Sequence, residues 1–153
     1  MNHWNEKRLP WKDSFNTPSV QELRSDIEEA GEAPFDTIRA YLLETPDVSE
    51  TLIWFGPCWQ WTIAYMLPGL EDPMAILIPA PEDVQMAIPL PPGFIESVPF
   101  KRLKRAIRDG LDLGASPFDT TWAVWSIPAA GLLDDLKEII RYRLRHLASL
   151  DSK

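Results

Sequence analysis

Two clusters and two single residues in this 153-residue chain are of types that could do chemistry, and each needs a partner that the sequence must supply. Glu22, Asp26 and Glu29 stand at i, i+4 and i+7, opposite Val20, Leu23 and Ile27. On a helix that interval places three carboxylates on one face, and oxygen ligands can hold a hard cation there loosely. No histidine is placed to finish the shell, so a solvated face rich in acids near a helix start accounts for the same pattern. Lys101, Arg102, Lys104, Arg105 and Arg108 form a dense basic run that an anionic partner could meet. No aromatic residue interleaves them, which weakens any reading as a nucleic-acid surface. Cys58 follows Gly56-Pro57, but a nucleophilic thiol needs a base, and His3 and His146 lie at opposite ends of the chain. Arg143 falls within an apolar helical stripe, where a guanidinium must snorkel, pair with a carboxylate or bind an anionic ligand. Of these, the internal ion pair is the expectation. Phosphate-cradling glycine loops, zinc spacings and catalytic carboxylate pairs are missing from the sequence, which implies no catalytic residues and no cofactor.

Aromatic residues outnumber the chemistry beside them. Trp54, Trp59, Trp61, Trp122 and Trp125, with Tyr65, all fall on expected strands. Helices cover one face of a sheet, and period-2 alternation sends some of these rings to the other. That surplus could line a pocket, form an interface or make ordinary core beneath the N-terminal arm.

The elements that must position these groups follow from periodicity. Residues 1–16, with Trp4, Leu9, Trp11 and Phe15 among charges, read as an aromatic arm that packs on something; residues 17–150 read as one domain. A first helix begins at Thr17-Pro18-Ser19, where Ser19 and Glu22 can close a capping box, and Gly31 ends it. A second runs from Pro34 to Glu44 and stops at Thr45-Pro46. Four strands follow: 51–55, 59–67, 74–78 and 84–90. Turn residues at each join, with Gly56-Pro57 as the first hairpin turn, argue for an antiparallel meander. A third helix at 100–109, a fifth strand at 120–127 and a last helix at 132–150 complete the order ααββββαβα. The expected fold is a two-layer α+β domain, one five-stranded antiparallel sheet with helices on one face.

Composition narrows the setting. A chain that is 45% hydrophobic and 25% charged is globular, and no apolar run approaches the ~20 residues needed to span a bilayer. One cysteine cannot form an internal disulfide, and the charged N-terminus lacks a secretion h-region, so a cytoplasmic location is expected. The net charge of −8 is distributed as −6 over residues 1–50, −5 over 51–99 and +3 over 100–153. A negative field of that kind disfavours nucleic acid as a partner.

The motif Leu-Ile-Trp-Phe-Gly-Pro-Cys-Trp-Gln-Trp-Thr-Ile-Ala-Tyr at 52–65 heads a longer resemblance. It continues through Ile-Leu-Ile-Pro at 76–79, Trp-Ala-Val-Trp at 122–125 and Leu-Leu-Asp-Asp-Leu-Lys-Glu-Ile-Ile-Arg-Tyr-Arg at 132–143. Over about residues 18–146 the chain resembles small bacterial domains of unknown function related to the YdhG-like domains. The resemblance implies a two-layer α+β fold and, because some YdhG-like members are described as frataxin-like, iron handling; it carries no catalytic residues. Three expectations result. The first is a non-enzymatic binding or accessory domain, using the aromatic face for a protein partner or a second copy, with Trp54, Trp59, Trp61, Tyr65, Trp122, Trp125 and Arg143 as candidate binding residues. The alternative is iron or hard-cation handling through Glu22, Asp26 and Glu29. An enzyme built around Arg143, Tyr65 or Cys58 comes third.

Overall fold

The computed structural model describes residues 9–90, 94, 98, 105, 107, 122–127 and 132–151. Five antiparallel strands form one open sheet whose spatial order is its chain order: β1 (Ser49–Trp54), β2 (Trp61–Met66), β3 (Ala75–Ile78), β4 (Gln85–Pro89) and β5 (Trp122–Ser126). The helices among the described residues are α1 (Val20–Ser25), α2 (Glu29–Leu43), α3 (Gly56–Trp59) and α4 (Leu133–Asp151), with a 3-10 turn at Pro10–Lys12. This is the α+β meander expected from the periodicity. The expected helix at 100–109 lies outside the described residues, apart from helical Arg105 and Ile107.

The α1 start is set locally. The Ser19 hydroxyl accepts from the Glu22 N–H, and the Glu22 carboxylate accepts from the Ser19 N–H, which closes the capping box. Two boundaries differ from expectation. The first helix stops at Ser25, and Gly31 lies inside α2. Asp26 and Ile27 turn back with i→i−3 bonds to Leu23 and Arg24, and the Glu28 N–H donates at 2.9 Å to the Pro81 carbonyl across the fold. That tertiary bond takes the donor that would have continued α1. Within the helix Gly31 sits where Ile27 and Val84 leave little room for a side chain. A Cβ there would stand 2.9 Å from Ile27 Cγ2 and 3.2 Å from Val84 Cγ2.

The sheet's side chains divide into two cores. On one face the row Leu52, Ile63, Leu77, Met86 and Trp125 runs in register across all five strands. These residues share a cluster with Leu23, Phe35, Ile38 and Leu42 of the first two helices and with Leu136, Ile139 and Ile140 of α4. On the opposite face the row is Thr51, Ala64, Ile76, Ala87 and Val124. Its small central members, Ala64 and Ala87, share a second cluster with Trp59, Trp122, Ile76 and Ile78, against which Trp11 and Phe55 pack.

Trp59 reaches that second cluster because the first hairpin is not a simple turn. The expected strand 59–67 begins only at Trp61; residues 56–59 make a single helical turn, and Gln60 takes φ +58°. Positive φ in a non-glycine residue is uncommon and reverses the local direction of the chain. Phe55 N–H to Gln60 carbonyl (2.8 Å) and Gln60 N–H to Gly56 carbonyl (2.8 Å) hold the reversal. Trp59 and Trp61 were expected on one strand face; the reversal puts them on opposite sides of the sheet.

Candidate functional site

The sequence-expected binding residues are mainly interior. Trp59, Trp61, Tyr65, Trp122, Trp125 and Arg143 are all buried, and Trp54 is half-buried at the sheet edge. Trp54, Trp61, Tyr65 and Trp125 belong with the larger core, Trp59 and Trp122 with the smaller. Phe55, Trp59 and Trp122 meet edge-on or tilted at centroid distances of 5.5–5.8 Å, a favoured arrangement for aromatic rings.

The arm closes over these rings from outside. The half-buried Trp11 donates its indole N–H to the Trp59 carbonyl at 3.1 Å, and Trp61 donates to the Asp13 carbonyl at 2.7 Å. Residues 9–13 are therefore pinned to the fold by two indole hydrogen bonds, one to the α3 turn and one from β2.

Where the arm meets the β3–β4 turn, Leu9, Trp11, Lys12, Ala80, Pro81, Glu82 and Asp83 line a groove of about 320 Å³. Sequence reasoning missed this groove. The signal available was the coincidence of an acidic turn with an arm rich in tryptophan, which only the fold brings together. Asp83 accepts from Gln85 Nε2 at 3.0 Å, and the Pro81 carbonyl carries the Glu28 N–H described above, so the groove wall is braced. Glu82 and Asp83 are exposed. A second, smaller hollow of about 200 Å³ lies among Tyr41, Glu44, Thr45, Pro46 and Leu144.

Sequence reasoning also missed a polar cluster on the helix-covered face. Arg39 of α2 holds Glu50 of β1 through both carboxylate oxygens, at 2.8 and 2.9 Å, and the Tyr65 hydroxyl donates to Glu50 at 2.8 Å. Burial alone would raise the Glu50 carboxyl; the hydrogen bonds from Arg39 and Tyr65 outweigh it and leave the group below its ordinary range. Burial, with the adjacent Glu50 charge, drives the Tyr65 phenol strongly upward. A phenol held that firmly neutral is a hydrogen-bond donor, and the cluster fastens α2 to the edge strand. Glu50 and Tyr65 are direct cross-strand partners, a pairing visible only once the hairpin register is known.

Arg143 does not make the internal ion pair expected of it. Its Nε and Nη2 point at the Met74 and Pro73 carbonyls, at 3.4 and 3.3 Å, and its guanidinium carbon lies 6.0 Å from the Phe94 ring centre. The reason is topological: the facing strand entry offers backbone oxygens, and the nearby carboxylate, Asp72, is exposed and outside ion-pair distance. Burial lowers the Arg143 pKa, with the Asp72 charge opposing.

The three acids proposed for metal do not share one helix. Glu22 is in α1 with its carboxylate engaged in the cap, Asp26 is at the break, and Glu29 opens α2. Among the described residues no three His, Cys, Asp or Glu side chains gather as a metal site. Cys58 is exposed on α3. Of the basic run only Arg105 is described, and it is exposed. No helix among the described residues is long and apolar enough to cross a membrane.

No family model, curated protein or solved structure matches this chain.

Proposed function

We propose that this chain is a non-enzymatic protein-binding domain that docks a basic segment of a partner in the groove between the N-terminal arm and the β3–β4 turn. The observation that carries this reading is the juxtaposition of the half-buried Trp11 ring with the exposed carboxylates of Glu82 and Asp83 around about 320 Å³ of open space. An indole face attracts a lysine or arginine head electrostatically, and adjacent carboxylates add charge-assisted hydrogen bonds. The surroundings favour the same sign of partner: residues 51–99 contain five acids and no lysine or arginine. Among the described residues of the lining, Lys12 is the one opposing charge. The volume falls at the lower end of small-ligand pockets, about 300–1,000 Å³, and suits one or two long side chains.

The aromatic surplus then has a supporting role. Trp59 and Trp122 form the floor that holds Trp11 in place, and the docking surface is the rim of that cluster. The test is fluorescence anisotropy with a labelled Lys/Arg-rich peptide, at two salt concentrations. Saturable binding that weakens at high salt, and at least tenfold in the pair Glu82→Lys with Asp83→Lys, is the expected result. Binding indifferent to the charge reversal, or a dimer in light scattering that the reversal abolishes, would replace this reading with a surface-charge effect or a second copy.

A further inference from the structure

The sheet is open, and β1 forms one of its edges. Hydrogen bonding alternates along an antiparallel ladder, so one bond fixes the direction of every backbone group on the strand. The Phe55 N–H donates to the Gln60 carbonyl, one step beyond the Trp54–Trp61 pair in the β1–β2 register. Ser49, Thr51 and Ile53 therefore bond to β2, while Glu50, Leu52 and Trp54 turn their N–H and C=O groups outward. Among the described residues no strand meets those groups. Proteins commonly blunt such an edge with proline, lysine, a bulge or an inward charge. β1 has no proline or lysine, and its register runs without a bulge from Ser49 to Trp54. Its one charge, Glu50, is already held by Arg39 and Tyr65, and Leu52, Ile53 and Trp54 stay half-buried at the rim.

We propose that β1 pairs with β1 of a second copy of this chain, antiparallel about a twofold axis at Leu52, joining two sheets edge to edge. The outward positions select this occupant because they are self-complementary. Placed about Leu52, an antiparallel copy sets Leu52 opposite Leu52 and Glu50 opposite Trp54, and each opposed pair exchanges two backbone bonds. An axis at Glu50 would bring two carboxylates face to face, which is unfavourable. An axis at Trp54 would run the strand into the helical turn of α3. Charge agrees with the Leu52 register. The acids that precede the strand, Glu44 and Asp47, come level with the uncharged turn Gly56–Trp59 of the other copy and not with each other. The Leu52 side chains, which pack on the larger core, meet across the axis. This edge is separate from the groove between the arm and the β3–β4 turn, and nothing in it depends on the docking reading.

Sedimentation equilibrium and amide hydrogen exchange by NMR, each over a dilution series reaching millimolar protein, test the assignment. The unaltered chain should dimerise with rising concentration. The Glu50, Leu52 and Trp54 amides should exchange at least tenfold more slowly in the concentrated sample, while Thr51 and Ile53, bonded to β2 in either state, should not change. Leu52→Pro removes the central outward donor at an edge position that tolerates proline, and should weaken the dimer at least tenfold while circular dichroism reports a folded chain. If that variant fails to fold, the alternating exchange pattern in the unaltered protein still decides. The pair Glu82→Lys with Asp83→Lys, on the separate groove, should leave the dimer intact. A strict monomer at millimolar concentration, or a dimer whose Leu52 amide exchanges as fast as in the monomer, would overturn the proposal. So would a dimer lost in the groove variant, which would assign the contact to the groove instead.

Discussion

The two faces of the sheet solve the same burial problem by different means. One is covered by long helices, whose aliphatic stripes meet Ile63, Leu77 and Met86. Among the described residues the other, floored by Ala64 and Ala87, is covered by single aromatic side chains from the arm, from one helical turn and from β5. Regular elements bury area in proportion to their length. A cover built from isolated rings depends on a few anchor points, here the Trp11 and Trp61 indole hydrogen bonds. The helix-covered face should therefore lose stability in graded steps, and the aromatic face should open when one anchor is cut.

The largest contrast to test is between Trp125 and Trp122, one on each face. Either change to Ala should cost about 3–5 kcal/mol in chemical denaturation, as for other buried large aromatics. The Phe variants separate them. Trp125 donates its indole N–H to the Ile107 carbonyl at 3.1 Å, whereas Trp122 Nε1 is buried without a partner. Trp125→Phe should be the costlier by about 1 kcal/mol, because it orphans a buried carbonyl while Trp122→Phe removes an unsatisfied donor. Equal costs would mean that the two faces hold their indoles alike.

A smaller loss, about 2 kcal/mol, is expected from Trp11→Ala, which forfeits partial ring burial and one hydrogen bond. Its diagnostic readout is dye binding to exposed apolar surface in the folded state, which should rise for this variant and stay flat for Leu136→Val in the helix-covered core. A flat response in both would show that the ring cover does not rest on Trp11.

Glu50→Gln should have the smallest effect, about 1.5 kcal/mol, for a charged hydrogen-bond pair that retains some hydration. Its sign with pH is fixed by the depressed carboxyl. The contribution is fully present above the ordinary value of 4.5 and is lost as pH falls through the lower folded value. The gap between the unaltered protein and Glu50→Gln should accordingly narrow below about pH 4.5 in thermal melts. A gap that widens on acidification would remove the Arg39–Glu50–Tyr65 cluster as the tie between α2 and β1.

The meander was legible because strands and turns are local: alternation marks a strand, and Pro68-Gly69 or Pro79-Ala80-Pro81 marks its end. The capping box at Ser19–Glu22 was legible for the same reason. The α1–α2 break was not, because the bond that causes it, Glu28 to Pro81, spans 53 residues. The phase error between Trp59 and Trp61 arose at Gln60, whose side chain gives no hint of a positive φ. Among site residues, the stripe position of Arg143 was readable and its partners were not, since carbonyl oxygens leave no mark in a sequence. The groove was invisible because its two walls lie about seventy residues apart.

The reversal at Gln60 also governs which insertions and deletions the chain can absorb. Residues 55–60 set the parity of β2, so losing one of them would exchange Ile63 and Tyr65 for Ala64 and Met66 beneath the helices. A length change at Gly69, which has φ +81° and no heavy atom within 4 Å of where a Cβ would stand, meets no such penalty. Variation in length should therefore accumulate at the second hairpin and be purged from the first.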